Sequence, residues 1–280
     1  MQVYNPELYH FGVKGMKWGV KKKYYQDHME SDRVLKKYLK IQNISKNSVR
    51  DISRGAPVYG SHIKSDNQAY MGHYAKSIND MGDKAIINSL VLTKDVKIPS
   101  QKKSVDLFME LYNKDPKGMS ESIGKAYSEL TYFNGITTIR NYNANRISNK
   151  LQRKGKDWIE NKGYLIFNQS MAATKESQAR GKYYDLLMKK GYNAISDIND
   201  VQSGYNSKDP IIFINPKDTI KNIKSRQLNT DEIELANARY EYDDAKKNHM
   251  FIEKIIPDSN YNTTKRNLKR IEKQQRVNGN

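Results

Sequence analysis

The chain has 280 residues with 49 Lys and Arg against 31 Asp and Glu, giving a net charge of +18, and only 37% hydrophobic residues. Its mean hydropathy of −0.89 fits exposed helical arms around one modest core better than a wholly globular chain. Absence of cysteine excludes disulfides and thiolate metal sites and fits a reducing compartment. The first residues hold no apolar run of signal-peptide type, and no stretch approaches the ~20 apolar residues of a membrane span.

Residues 1–23 read as a separate docking tag. In the stretch His10-Phe-Gly-Val-Lys-Gly-Met-Lys-Trp-Gly-Val20, three glycines stand among aromatic and basic residues and disfavour both helix and core strand. Phe11, Met16 and Trp18 are then left for a partner to cover, which suits a docking peptide. Residues 24–49 predict a helical spacer, with Tyr25, Met29, Val34, Leu35, Tyr38 and Ile41 as a partial apolar stripe.

Residues 50–228 read as the folded body. Arg54 to Ile63 predicts a turn and the first core strand, and Asp66 to Asp80 a helix that Gly82 stops. Ala85 to Leu92 is a buried strand and Val96 to Pro99 a short edge segment. Ser100 is placed to cap a helix over Val105 to Tyr112. Residues 115–162 are mostly helical and polar, and Tyr164 to Phe167 reads as a strand. The strongest core signal comes next. Glu176 to Lys190 has helical spacing and a basic last turn before Gly191, and β-rich runs follow within Gly191–Ile198 and Asp209–Pro216. Thr219 to Ile223 adds a last strand.

Residues 229–280 read as a helical basic tail. Leu235, Ala238, Tyr242, Ala245, His249, Ile252 and Ile256 form a narrow seam on a helix from Asp231 that Pro257 ends. Tyr261 to Asn280 is either a basic helix or a disordered tail. The positive charge is spread along the whole chain, with clusters at Lys21–Lys23 and Lys265–Arg276. Any contact with DNA is therefore expected to be with phosphates and nonspecific.

No nucleotide-binding glycine loop, zinc pattern or serine elbow occurs. The five histidines (10, 28, 62, 73 and 249) share no metal-ligand spacing, so no metal site is expected. One catalytic arrangement is open on residue types. Arg54, His62, His73 and Tyr74 lie around the first strand and its helix, while Asp197, Asp200 and Asp209 flank the later strands. A cation and a carboxylate from these two groups could face one cleft.

The segment from His10 to Val20 resembles a tag found at one end of many tailed-phage and prophage structural proteins. Its docking residues are then His10, Gly12, Lys14, Gly15, Met16, Lys17, Trp18 and Gly19. The body resembles the ADP-ribosyltransferase-like domains that phages encode near their head genes. That likeness rests on Arg54-Gly55 through Tyr59, on Lys97-Ile-Pro-Ser100 before a helix, and on Gly191-Tyr-Asn-Ala-Ile with Pro210-Ile-Ile-Phe.

It implies an α+β fold, a split β-sandwich with flanking helices that grips NAD in a cleft. Arg54 or His62 would hold the dinucleotide. Asp209 would stabilise the positive charge that develops on the ribose as nicotinamide leaves. The sequence departs from that pattern. Gly60 follows Tyr59 where an Arg is common, no Ser-Thr-Ser occurs, and Asp209 replaces the usual late-strand Glu.

The leading expectation is a virion-associated phage or prophage protein with an inactive domain that requires no cofactor. It would contact head or other structural proteins through its tag, avoid membranes, and reside in the virion or host cytoplasm. Its rivals are an active NAD-dependent mono-ADP-ribosyltransferase, used as a toxin or injected effector, and a nonspecific nucleic-acid-binding protein, for which tyrosines interleaved with Lys and Arg speak.

Overall fold

A computed structural model of the chain describes residues 31–48, 51–53, 55–130, 137–172, 177–198, 209–252 and 259–278. Its strands are β1 (Arg33–Leu35), β2 (Lys40–Lys46), β3 (Val58–Gly60), β4 (Ala85–Leu92), β5 (Val96–Ile98), β6 (Ala194–Ser196), β7 (Ile211–Phe213) and β8 (Ile220–Gln227). The helices are α1 (Lys64–Ala69), α2 (Ala75–Asp80), α3 (Gln101–Tyr112), α4 (Pro116–Leu130), α5 (Thr137–Trp158), α6 (Tyr164–Ala172), α7 (Gln178–Lys189), α8 (Pro216–Thr219), α9 (Thr230–Ile252) and α10 (Ser259–Asn278). A π-helical turn at Tyr70–Tyr74 joins α1 to α2, and another at Ile159–Gly163 joins α5 to α6. The architecture is α+β with antiparallel strand pairs. No helix among the described residues is long and apolar enough to cross a membrane.

The chain divides into two compact units, each assembled from separated segments. The first comprises Met1–Leu35 and Asp95–Asn199, the second Lys36–Lys94 and Asp200–Asn280.

In the first unit β1 and β5 pair, with Val34 opposite Lys97. Asp32 ties their ends together. Its carboxylate accepts from the Ser100 amide at 3.0 Å and the Tyr192 hydroxyl at 2.6 Å, and lies 3.4 Å from Lys97 Nζ. Burial alone would raise the Asp32 pKa, but the hydrogen bonds from Tyr192, Ser100 and Lys97 outweigh it and hold it below the ordinary carboxylate value. Burial, and then the bond to Asp32, push the Tyr192 hydroxyl up to about 12. Ser100 caps α3 as its position predicts, its hydroxyl accepting from the Lys103 amide at 3.1 Å. The helical core gathers Phe108, Phe167 and Tyr183, with Phe108 and Phe167 ring centres 4.9 Å apart.

The second unit centres on the sheet β2–β4–β8. One of its faces meets Ala75, Ile78 and Ile233, which join Ala85, Ile87 and Leu228 in a buried cluster. Along the sheet, Asn43, Asn88 and Ser225 stand directly opposite one another on β2, β4 and β8. Asn88 Nδ2 donates to Asn43 Oδ1 at 3.1 Å and to Ser45 Oγ at 2.9 Å, and Asn88 Oδ1 accepts from Ser225 at 2.8 Å. Helix α9 packs on the π-turn, where Gly72 comes so close to the Ala236 carbonyl that a Cβ would collide with it. Helix α10 lies along α9, with Tyr242 and Tyr261 stacked at 5.6 Å and Arg239 paired to Glu272 at 3.2 Å.

Several expected elements form where the sequence places them. Ala85–Leu92 is a strand, Gly82 ends the helical run at φ 78, and Gly191 ends α7 at φ 83. Residues 259–278 are helical, which decides between the two readings of the tail.

Two expectations are overturned. The described part of the 24–49 spacer is not helical: it forms β1 and β2 around a turn in which Tyr38 takes φ 71. Of the expected stripe, Val34 and Tyr38 are 47% and 71% exposed while Leu35 and Ile41 are buried, and Ile41 with Asn43 alternates inward as a strand requires. Tyr164–Phe167 is the start of helix α6, not a strand. Residues 167–171 are all buried and Tyr164, Leu165 and Ile166 half-buried, so the short apolar run at its start carries no one-sided periodicity to betray a helix.

Candidate functional site

Two of the residues singled out for NAD chemistry lie at one end of a strand pair in the second unit. Strands β3 and β7 run antiparallel, with Gly60 opposite Ile211. Ser61 and His62 leave β3 at the same end at which Asp209 and Pro210 enter β7. His62 and Asp209 therefore come from neighbouring chain segments.

What joins them is a residue that the sequence reading assigned only to a helix start. Asp66, fully buried in the first turn of α1, accepts from the Ser61 hydroxyl at 3.0 Å and from the Asp209 backbone amide at 2.9 Å. The Ser61 oxygen accepts from the Ile63 amide at 3.0 Å and lies 3.4 Å from the Asp209 carbonyl. Each bond ties a hydroxyl or an amide to a carboxylate or a loop, closing the two strand ends against the helix. A serine five residues before an acidic residue in a first helical turn was the available signal.

The chemistry open to this cluster is limited by its burial. Ser61 is fully buried and its hydroxyl points to a carboxylate, so no substrate carbon can approach it as it would a nucleophile. Asp209 is only 7% exposed. His62 is half-buried, and its Nδ1 is enclosed without a hydrogen-bond partner among the described residues.

The other candidates go elsewhere. His73 packs on Tyr240 of α9, ring centres 5.6 Å apart, which is a packing role. Asp197 is buried in the first unit. Arg54, Asp200 and the docking residues His10, Gly12, Lys14, Gly15, Met16, Lys17, Trp18 and Gly19 lie outside the described residues. No group of His, Asp and Glu among the described residues is arranged to hold a metal ion.

Two concavities have other linings, and neither includes His62 or Asp209. One, in the first unit, is a narrow cavity bounded by Pro99, Gln101, Tyr164, Phe167, Asn168 and Tyr183, among others. Asn168 there braces the backbone: it donates to the Ser196 carbonyl at 2.9 Å and accepts from the Ile198 amide at 3.0 Å. The other is an open depression in the second unit bounded by Asp51–Ser53, Lys217 and Ile220–Asn222.

In comparison with known protein families, a family described as "Family of unknown function (DUF7211)" matches residues 1–24. That span contains the whole His10–Val20 motif. No curated protein and no solved structure matches the chain.

Proposed function

We propose that the chain is a virion-associated protein of a phage or prophage whose ADP-ribosyltransferase-like body performs no transferase chemistry. The N-terminal segment docks it to head or other structural proteins, and the body contributes bulk and surface. The observation that carries the inactive reading is the position of Asp209. A carboxylate meant to offset charge developing on a ribose must reach the ligand, and this one is 7% exposed beside a closed Ser61–Asp66 cluster. Pro210 fixes the backbone beside it.

The docking reading is supported by the His10–Val20 motif and by the family match restricted to the same segment. Mass spectrometry of purified particles tests the proposal. The protein should co-purify with particles, and deletion of residues 1–20 should abolish that association while leaving the melting transition nearly unchanged. A protein absent from particles overturns the virion reading. A loss of several degrees on deletion would instead make Trp18 part of the fold.

A further inference from the structure

The sheet β2–β4–β8 ends on one side in β8, which pairs with β4 alone among the described strands. The Leu228 amide bonds the Ala85 carbonyl at 2.9 Å, and the Thr93 amide bonds the Thr219 carbonyl at 2.9 Å. These two bonds bracket the pairing. Bonded and non-bonded pairs alternate along an antiparallel ladder, so they also fix which groups of β8 turn outward. With the irregularity between Ser89 and Leu90 included, Asn222, Ser225 and Gln227 stand at non-bonded positions. Their amides point away from β4, and among the described residues none of the three has an acceptor.

The polar row across this sheet runs out to the same edge. Ser225 Oγ donates to Asn88 Oδ1 at 2.8 Å and accepts from Asn222 Nδ2, also at 2.8 Å. That chain of bonds fixes the orientation of the Asn222 amide. It leaves Asn222 Oδ1 as an enclosed acceptor without a donor among the described residues. Asn222 bounds the open depression that Asp51–Ser53, Lys217 and Ile220 help to form.

Charge narrows what can fit this edge. Lys221 and Lys224 lie opposite Val91 and Ser89, which are two residues apart on β4, so both stand on one face of the sheet. Lys217 borders the depression beside them. All three lysines are exposed, and none makes an ion pair among the described residues. Arg226 differs, being neutralised by Glu232 at 2.6 Å. Asp51, a carboxylate in the same lining, receives the Ser53 amide and hydroxyl. Three cations against one carboxylate leave the edge positive.

We propose that the open edge of β8 is a docking site for an extended, acidic segment of a partner protein. The segment adds to the sheet as a fourth strand and accepts from the Asn222, Ser225 and Gln227 amides. Its carboxylates lie against Lys221 and Lys224, and a donor on it satisfies Asn222 Oδ1. Lysines on an edge strand commonly keep other strands away. Here they repel a second copy of β8 by the same charge that attracts an acidic strand. The inference does not depend on the virion reading.

The test uses the full chain and fluorescence anisotropy with a labelled peptide alternating Glu and Thr, against one alternating Lys and Thr. The parent should bind the acidic peptide about tenfold more tightly at low salt, the scale of two exposed ion pairs. The variant K221E/K224E should reverse the preference. Backbone addition is tested separately. Of two acidic peptides N-methylated on alternate residues, one should lose binding, because only one set of amides can face β8. Gln227→Pro removes an outward amide and no ladder bond, and should also weaken binding. Hydrogen exchange at Asn222, Ser225 and Gln227 should be fast in the free chain and slowed by the peptide.

Five results would overturn the proposal. Three are no binding of the acidic peptide, full binding of both N-methylated peptides, and slow exchange at the three amides in the free chain. Displacement of the peptide by duplex DNA would make the lysines a phosphate surface instead. Self-association that Gln227→Pro disperses would give the edge to a second copy.

Discussion

The Asp66 carboxylate accepts a hydrogen bond from the Asp209 amide at 2.9 Å, across 143 residues of sequence. The same oxygen takes the Ser61 hydroxyl, so one buried side chain holds the exit of β3 and the entry of β7 against α1. Removing it leaves an amide and a hydroxyl without their acceptor in the interior. Asp66→Ala should therefore destabilise the second unit by about 2–4 kcal/mol, and Asp66→Asn by less because an amide oxygen still accepts. Urea unfolding measures this. A loss below about 0.5 kcal/mol in Asp66→Ala, the range of ordinary surface changes, would mean that the cluster does not hold the strands.

The Asn43–Asn88–Ser225 row makes a second prediction, about register. Asn88 is fully buried on the central strand and bonded on both sides. A slip of either neighbour by one residue would turn these side chains to the other face and strand the Asn88 amide. Asn88→Ala should cost about 1–3 kcal/mol. In a double-mutant cycle with Asn43→Ala the two changes should couple by at least about 0.5 kcal/mol. Simple additivity would show that the row is a neighbourhood without energetic connection.

The pair Asp32–Tyr192 sets a pH dependence for the first unit. The folded pKa of Asp32 lies below its ordinary 3.8, so its contribution is present above that value and disappears as pH falls through the lowered one. Tyr192 is raised from 10.0 to about 12, so its contribution is present below pH 10 and is lost as pH rises toward 12. Tyr192→Phe deletes the donor to Asp32 and should shift the acid unfolding midpoint upward. It should also flatten part of the alkaline loss. Tyr183, fully buried and likewise raised, continues to titrate in the variant, so some alkaline loss should persist. An acid limb identical in parent and variant would mean that the 2.6 Å bond does not set the Asp32 pKa.

How far the sequence disclosed the structure depends on whether a residue's role was local. Ser100 as a cap, Gly82 and Gly191 as stops, and Ala85–Leu92 as a buried strand each follow from a local preference, and each is found in place. Phe213 and Ile212 are fully enclosed, as their β-rich run implied. Where partners lie far away the signal fades. Lys40–Lys46 becomes a strand because β4 pairs with it along its length, and nothing inside 24–49 announces that partner. Helix α6 is buried at five consecutive residues, 167–171, which removes the one-sided pattern by which helices are recognised. At the site, His62 and Asp209 could be named from residue type and strand position. Asp66 had only the weak signal of a serine five residues ahead of it, because its role exists only once two strand ends meet over a helix.

The catalytic prediction follows from that geometry. A working transferase needs a carboxylate that reaches the ribose, and Asp209 is one methylene shorter than the usual glutamate and 7% exposed. Misplacing a charge-stabilising group by about 1 Å costs on the order of 100-fold in rate. Reaching outward is opposed on both sides, since Pro210 restricts the backbone and the Asp209 amide is held by Asp66. Incubation with labelled NAD and a host lysate should therefore give no hydrolysis or transfer above background. NAD should also leave the melting temperature unchanged, whereas a ligand at a hundredfold excess over its Kd would add about 2.7 kcal/mol of stability. Asp209→Ala should behave as the parent does in both assays. Label transfer by the parent that disappears in Asp209→Ala would show that the carboxylate reaches substrate after all, and would replace the structural reading with that of an active transferase.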